Sequence, residues 1–168
     1  WYCPAQNLTI DSAGYVAAWQ SVLGELLPRQ RPGVTVLRDY HAENIMLLGG
    51  LHRQGLLDFQ DALVGHPAYD LVSLLQDARR EVSVEIEATM FDRYVKATGI
   101  DKEDFLADYA RLGAQRNAKI VGIFVRLWKR DGKPRYLDYI PRVWAMMERD
   151  LAHPALAPVA EWFERRRT

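Results

Sequence analysis

Residues 36–62 read VLRDYHAENIMLLGGLHRQGLLDFQDA. An apolar run enters this stretch at Val36 and Leu37, and another leaves it from Ile45 to Leu48. Between them sit Arg38, Asp39, Tyr40, His41, Glu43 and Asn44. Polar groups held between two buried strands cost free energy unless they are paired, so the patch serves either the fold or a reaction. Asp39 and Asn44 lie five residues apart on the loop between the two strands, and a second apolar strand runs straight into Asp58. Two carboxylates and one amide at the rim of one hairpin suit phosphoryl transfer. One carboxylate accepts the proton of an attacking hydroxyl, while the other, with the amide oxygen, holds Mg²⁺ against the phosphates. Taken singly, Asp39 reads as a turn or cap aspartate and Asp58 as a strand-end aspartate.

The spacing is more specific than the residue types. Protein kinases carry H-R-D-x-x-x-x-N, then a strand, then D-F-G. Here the order is L-R-D-Y-H-A-E-N, a hairpin, and D-F-Q, so Arg38, Asp39, Asn44, Asp58 and Phe59 fall on the pattern. Leu37 stands at the first His, and Gln60 at the last Gly. Further on, GHPAYDLVSLL resembles a G-D-P-x-x-D-L stretch, with Gly65, Pro67, Asp70 and Leu71 matching and His66 in place of Asp.

These segments resemble the C-terminal lobe of the aminoglycoside phosphotransferase/choline kinase family, which has a protein-kinase-like fold. His41, two residues past Asp39, matches that family. WYCPA, LRDYHAENIMLL, GLLDFQDA, AYDLVSLLQDARR, LGAQRNAKIVGIFVRLWKRDGKPRYL and IPRVW are similar to its amino-sugar kinases of bacterial cell-wall recycling, over nearly the whole chain. The resemblance implies an ATP- and Mg²⁺-dependent kinase. The acceptor it implies is a sugar hydroxyl, the anomeric one of N-acetylmuramate or N-acetylglucosamine. Asp39 would be the catalytic base, and Asn44 and Asp58 the metal and cofactor ligands. Asp70, Arg38 and His41 would support the loop, with Asp70 tying its helix start to it. Gln60 for Gly disfavours a flip of the metal-binding loop, and His66 for Asp lowers the local negative charge.

Outside these motifs the chain reads as one helical domain. It has 168 residues, 49% of them hydrophobic, enough for a real core. Its formal net charge is zero, which argues against a general nucleic-acid binder. A single cysteine, Cys3, excludes an internal disulfide framework and points to a reducing compartment, read here as cytoplasmic. No apolar stretch is long enough to span a bilayer. TIDSAGYVAAWQSVLGELLPRQRPG has Tyr15, Trp19, Val22, Leu23 and Leu26 at helical spacing before Pro32-Gly33. VTVL reads as a strand, and Gly49-Gly50 as the turn of a hairpin. Everything after Pro67 reads as helix, over about 68–79, 83–98, 102–130, 137–151 and 155–167. Asp101 caps the third of these, and Asp131-Gly132-Lys133-Pro134 stops it. The expected class is mainly α with a small β-hairpin region.

The other polar residues have plainer readings. Asp61 reads as a surface or loop-bonding carboxylate and His66 as a loop residue. A zinc site from His41, Glu43, Asp58 and His66 lacks the usual spacing. On the long helix, Gln115, Arg116 and Lys119 lie within about one turn. They form either a solvated face or a contact with an acidic sugar, whose lactyl carboxylate Arg suits. Trp1, Tyr2 and Trp19 are either core residues or platforms for a sugar ring. Kinases of this kind need a lysine on the α/β-phosphates and a loop over them. The first lysine here is Lys96, no G-x-G-x-x-G occurs, and the first residue is Trp1. The expectation is therefore that residues 1–168 form the C-terminal catalytic and substrate lobe, that the nucleotide-clamping lobe lies upstream, and that the isolated chain is inactive. A kinase for an aminoglycoside or a choline-like acceptor is the rival within the class. A non-catalytic pseudokinase fragment that binds a partner is the rival outside it.

Overall fold

The computed structural model describes residues 1–30, 32–50 and 52–165. Among the described residues it is mainly helical, as the sequence pattern predicts, with four short strands, of which that pattern predicts three. In chain order the elements are α1 (Tyr2–Ala5), α2 (Ser12–Leu26), β1 (Val34–Val36), β2 (Ile45–Leu47), β3 (Gln54–Leu56) and β4 (Leu63–Gly65). Then follow α3 (Ala68–Leu75), α4 (Val84–Thr98), α5 (Lys102–Asp131), α6 (Ile140–Leu151) and α7 (Ala157–Glu164). The chain divides into two compact units. One is Pro28–Tyr109; the other is Trp1–Leu27 with the chain from Ala110 onward.

The unit formed by Pro28–Tyr109 carries all four strands. β2 and β3 pair antiparallel, with Ile45 opposite Leu56 and Leu47 opposite Gln54. Their turn holds Gly49 at φ +81° and Gly50 at φ +141°. A residue with a Cβ strains at either value, so the two glycines make the turn cheap. β1 pairs antiparallel with β4, Val34 opposite Gly65 and Val36 opposite Leu63. The sequence pattern does not expose β4, which lies beyond the polar DFQDA stretch with no turn signal of its own.

The strands flanking the polar patch are not buried as expected. Val36 is buried, but Met46, Leu47, Leu48, Leu56, Leu57, Phe59, Leu63 and Val64 are all exposed, Leu47 at 64% and Val64 at 74%. Met46 and Leu47 are consecutive in β2, and Leu63 and Val64 in β4, so the exposed side chains lie on both sides of the strands.

The helices of this unit start and stop on recognisable signals. The Ser83 hydroxyl accepts from Ile86 N–H at 3.3 Å to cap α4, and Gly99 ends it at φ +68°. The Asp101 carboxylate accepts from Asp104 N–H at 2.9 Å to cap α5. α3 stops at Leu75, four residues before its expected end. The reason is local: Gln76 turns its amide inward to Glu87, at 2.9 Å, and Asp77 accepts from Arg79 N–H at 2.9 Å. Such side-chain bonds offer the backbone an alternative to the helix.

The other unit is built around Trp19, Val22, Ala110, Ala114, Met147, Leu156 and Val159. α2 supplies the first two, capped by Asp11, whose carboxylate accepts from Gly14 N–H at 2.8 Å. Gly113 lets α5 approach Asp150 of α6: a Cβ there would meet the carboxylate oxygen at 2.5 Å. Asp150 is buried and accepts from the Asn117 amide at 3.2 Å. α5 ends at Gly132, with φ +63°, as its stop signal predicts.

Two expected helices begin later than predicted. α6 starts at Ile140 rather than 137, after a 3₁₀ segment Pro134–Tyr139. α7 starts at Ala157 rather than 155, after the 3₁₀ turn Pro154–Leu156. In each case a proline, Pro141 or Pro158, sits in the first turn and has no N–H to bond the carbonyl four residues back. Residues 166 and 167 of the last expected helix, and Arg31 and Leu51 within earlier segments, lie outside the described residues.

His153 caps that last 3₁₀ turn, its Nδ1 accepting from Ala155 N–H at 3.2 Å. Burial, then the Arg111 charge, hold its pKa below the usual 6.5. A base whose pKa is lower folded than unfolded is bound by fewer protons in the fold. Its contribution is fully present above the unfolded pKa and is lost as pH falls through the folded one. The thermal midpoint should therefore drop as pH is lowered below about 6.5. Replacing His153 by Asn, which still accepts a bond but does not titrate, should flatten that slope. A slope unchanged in His153→Asn would contradict the assignment.

Candidate active site

The polar patch lies within the Pro28–Tyr109 unit, and α3 organises it. One face of α3 presents Asp70 and Ser73, three residues apart and so on the same side. The Asp70 carboxylate accepts from Leu37 N–H at 2.7 Å and from Arg38 N–H at 3.0 Å. The Ser73 hydroxyl donates to the Arg38 carbonyl at 3.3 Å. These bonds hold Arg38 at φ +70°, a left-handed conformation that a long side chain seldom adopts. Such strain costs about 1–3 kcal/mol and persists only when the surroundings over-determine it.

Beyond Arg38 the loop closes on itself. The Asp39 carbonyl accepts from His41 N–H at 3.1 Å and from the Asn44 amide Nδ2 at 2.9 Å. The same Nδ2 lies 3.4 Å from His41 Nε2. In the tautomer that leaves Nε2 unprotonated, both of its hydrogens are engaged and Oδ1 of Asn44 is left to accept. The Asn44 carbonyl accepts from Leu57 N–H at 2.9 Å, which fixes the residue before Asp58 to the loop. Asp58 is also left-handed, at φ +57°, and exposed; its Oδ1 accepts from the Gln60 amide at 2.5 Å. Asp39 is exposed as well. The structure thus joins Asp39, Asn44 and the strand leading to Asp58 through backbone and amide bonds, with both carboxylates open to solvent.

Mg²⁺ is the metal these donors fit. A free amide oxygen and an open carboxylate are hard ligands, and Mg²⁺ takes one or two such protein groups and completes its shell with phosphate and water. Among the described residues no group of three or more His, Cys, Asp or Glu can hold a metal ion, so the zinc set fails. His66 is one reason. It lies in the loop between β4 and α3, as the sequence reads, but it is buried and stacks on Phe105. Its Nδ1 accepts from Ala68 N–H at 3.2 Å, and its Nε2 faces Asp108 at 3.2 Å, where Arg29 also binds at 2.6 Å.

Asp61 is exposed and 4.0 Å from Arg38. His41 is buried. Burial and then the Arg79 charge lower its pKa, against the charges of Asp77, Glu43 and Asp39. Asp77 and Arg79 have no counterpart in the sequence reading. Arg79 reaches Glu43 at 3.4 Å.

Gln115, Arg116 and Lys119 belong to the other unit. Gln115 and Lys119 line an open groove with Tyr15, Trp19 and Gln20. Arg116 is buried and does not line it. Trp19 is in the core, while Trp1 is exposed.

Comparison with known proteins agrees with this geometry. Residues 5–114 match the model of the phosphotransferase enzyme family, and the chain belongs to that family. It is 46% identical to the N-acetylmuramate/N-acetylglucosamine kinase of Caulobacter vibrioides, over 98% of this chain and 47% of that protein. Proteins of the same name from Neisseria meningitidis and Pseudomonas aeruginosa are 40% and 38% identical. They cover 84% and 96% of this chain, and 45% and 50% of their own length. The chain spans about half the length of the curated relatives it matches. Among the described residues no helix is long and apolar enough to cross a membrane.

Removing the Asp70 carboxylate leaves two loop N–H groups without their acceptor and releases Arg38. Asp70→Ala should lower unfolding free energy by about 1–3 kcal/mol, read from urea midpoints. Ser73→Ala, which removes one longer bond, should cost less. Equal costs for the two would show that the carboxylate is not the principal tie.

Proposed function

We propose that this chain is the loop-bearing, C-terminal lobe of a longer ATP-dependent sugar kinase, acting on N-acetylmuramate or N-acetylglucosamine in cell-wall recycling. The phosphorylated group is the anomeric hydroxyl. The observation that carries this reading is the Asn44 amide. Its nitrogen is committed to Asp39 and His41, and its oxygen is free beside the strand that ends in Asp58. The names of the similar proteins support the acceptor class.

Asp39 accepts the proton of the sugar hydroxyl as that oxygen bonds to the γ-phosphorus, and the bridging P–O bond breaks to leave ADP. The exposed Asp39 carboxylate is held on a backbone bonded on both sides, so it is aimed before the acceptor arrives. Asn44 Oδ1 and Asp58 would hold Mg²⁺, which when bound neutralises charge on the phosphates. Gln115 and Lys119, beside the Tyr15 and Trp19 rings, offer an amide, a cation and aromatic faces, a set that suits an acidic amino sugar. Arg116 is buried and does not line that groove, so it would take part only as support.

A second lobe completes the proposal. The exposed apolar side chains of Met46, Leu48, Leu56, Leu57, Phe59, Leu63 and Val64 are the kind of surface that a partner covers. The same lobe would supply the phosphate-binding lysine. A cytoplasmic location follows from the need for ATP and is consistent with the free Cys3. Without the second lobe the isolated chain should show little or no turnover.

The test uses the full-length protein with Mg-ATP and a panel of N-acetylmuramate, N-acetylglucosamine, an aminoglycoside and choline. Transfer to the amino sugars alone is the expected result. Asp39→Asn should lower kcat by about 10²–10⁴ with an unchanged thermal midpoint. Asp58→Ala should act mainly by raising the Mg²⁺ and nucleotide concentrations required. Activity that survives both substitutions would sink the reading. Transfer only to an aminoglycoside or choline would move the acceptor within the family, and tight binding without transfer would favour a pseudokinase.

A further inference from the structure

Among the described residues of the Pro28–Tyr109 unit, two fully buried side-chain polar atoms lack a hydrogen-bond partner: His41 Nδ1 and Asp77 Oδ2. An orphaned buried polar atom costs about 1–3 kcal/mol, so two in one small unit call for an explanation. Their chemistry is complementary. Asn44 Nδ2 can donate to His41 Nε2 only if that nitrogen keeps its lone pair, and the ring proton then sits on Nδ1. Nδ1 is therefore a buried donor and Asp77 Oδ2 a buried acceptor. The two residues are close enough for the Asp77 charge to act on the ring.

We propose that Asp77 and His41 form a relay that sets the Asn44 amide, so that Asn44 presents Oδ1, and not its nitrogen, to the metal of the phosphoryl-transfer site. The relay rests on the kinase reading above and adds positioning residues to it. The two atoms make no direct hydrogen bond; a single water between them satisfies both and fixes the ring proton on Nδ1. The ring then accepts from Asn44 and cannot donate to it. An Asn amide is nearly symmetric in shape, so packing alone does not distinguish its oxygen from its nitrogen; the hydrogen bonds do. Here the Asp39 carbonyl and His41 Nε2 are both acceptors and select the nitrogen.

Asp77 is held well enough to act in this way. Its side chain is 2% exposed, and its Oδ1 accepts from Arg79 N–H at 2.9 Å. The preceding Gln76 is tied to Glu87, which also accepts from the Tyr109 hydroxyl at 2.8 Å. Arg79 bridges from the same segment to Glu43, the neighbour of Asn44, at 3.4 Å. The segment after α3 thus grips the turn that carries Asn44 through Arg79, and the Asp77 relay would add a second point. Positioning of this kind behind a metal ligand is worth about 10–100-fold in metal affinity or activity.

The test is Mn²⁺ binding to the full-length protein with ADP, followed by electron paramagnetic resonance, with thermal midpoints alongside. His41→Gln keeps an acceptor near the Nε2 position and should bind Mn²⁺ close to the unsubstituted protein. His41→Asn loses that acceptor and should bind about tenfold more weakly. Asp77→Ala should weaken binding about tenfold with His41 present and have no further effect in the His41→Gln background. Equal Mn²⁺ affinity in the two His41 variants, or an Asp77→Ala effect of the same size in both backgrounds, would overturn the relay. Loss of folding in both His41 variants would mark the ring as packing only and overturn it too. If the unsubstituted protein shows no ADP-dependent Mn²⁺ binding, the kinase reading fails and the relay with it.

Discussion

The Asp70 carboxylate is the constraint on which the candidate site depends. It receives two consecutive backbone N–H groups, from Leu37 and Arg38, just where β1 ends. A chain leaving a strand has no reason of its own to turn left-handed at an arginine. The pair of bonds supplies that reason, and Ser73 on the same helix face adds a third on the Arg38 carbonyl. From that turn onward each bond depends on the one before. The Asp39 carbonyl is in place to receive the Asn44 amide, and the Asn44 carbonyl to receive Leu57 N–H. A carboxylate buried in part and fully hydrogen-bonded gains more from such bonds than a neutral acceptor would. The strain at Arg38 and Asp58 is therefore carried by support outside the loop itself.

This arrangement separates support from chemistry. The supporting groups, His41, Ser73, Gln76, Asp77, Glu87 and Asp108, are buried. The groups proposed to react or to hold the metal, Asp39 and Asp58, are exposed. Buried polar groups are costly when partly satisfied and rigid when fully satisfied, which suits them to hold a loop still. Exposed carboxylates pay little for their charge and remain open to phosphate and acceptor. The exposed apolar side chains on the hairpins belong to the same division, since the proposed second lobe would dock there and bring the nucleotide to the open side.

The His66–Asp108–Arg29 cluster shows how one substitution can keep a function while changing its chemistry. In the motif it resembles, position 66 is an aspartate, whose carboxylate would accept bonds at the start of the following helix. Here His66 Nδ1 accepts from Ala68 N–H in that role. Its other nitrogen faces Asp108, which also binds Arg29 bidentately at 2.6 and 2.8 Å. The ring adds stacking on Phe105 that a carboxylate could not.

The sequence by itself determined what depends on near neighbours. The Asp39–Asn44–Asp58 spacing, the Gly49-Gly50 turn, the Asp101 cap and the Gly132 stop are each settled within a few residues, and the structure has the local elements they predict. The helical periodicities are read in the same way, and their errors fall at Pro141, Pro158 and Gln76, where one residue's missing N–H or inward-turned side chain outweighs the pattern. The tertiary structure decided what depends on residues far apart in the chain: the pairing of β1 with β4, the burial of His66, the exposure of the hairpins' apolar side chains, and the place of Asp77 behind His41. None of these has a period or a motif. Each is set by which surfaces meet once the chain is closed, and a hydrogen bond such as that from Leu37 N–H to Asp70, 33 residues apart, leaves no mark on the order of either one's neighbours.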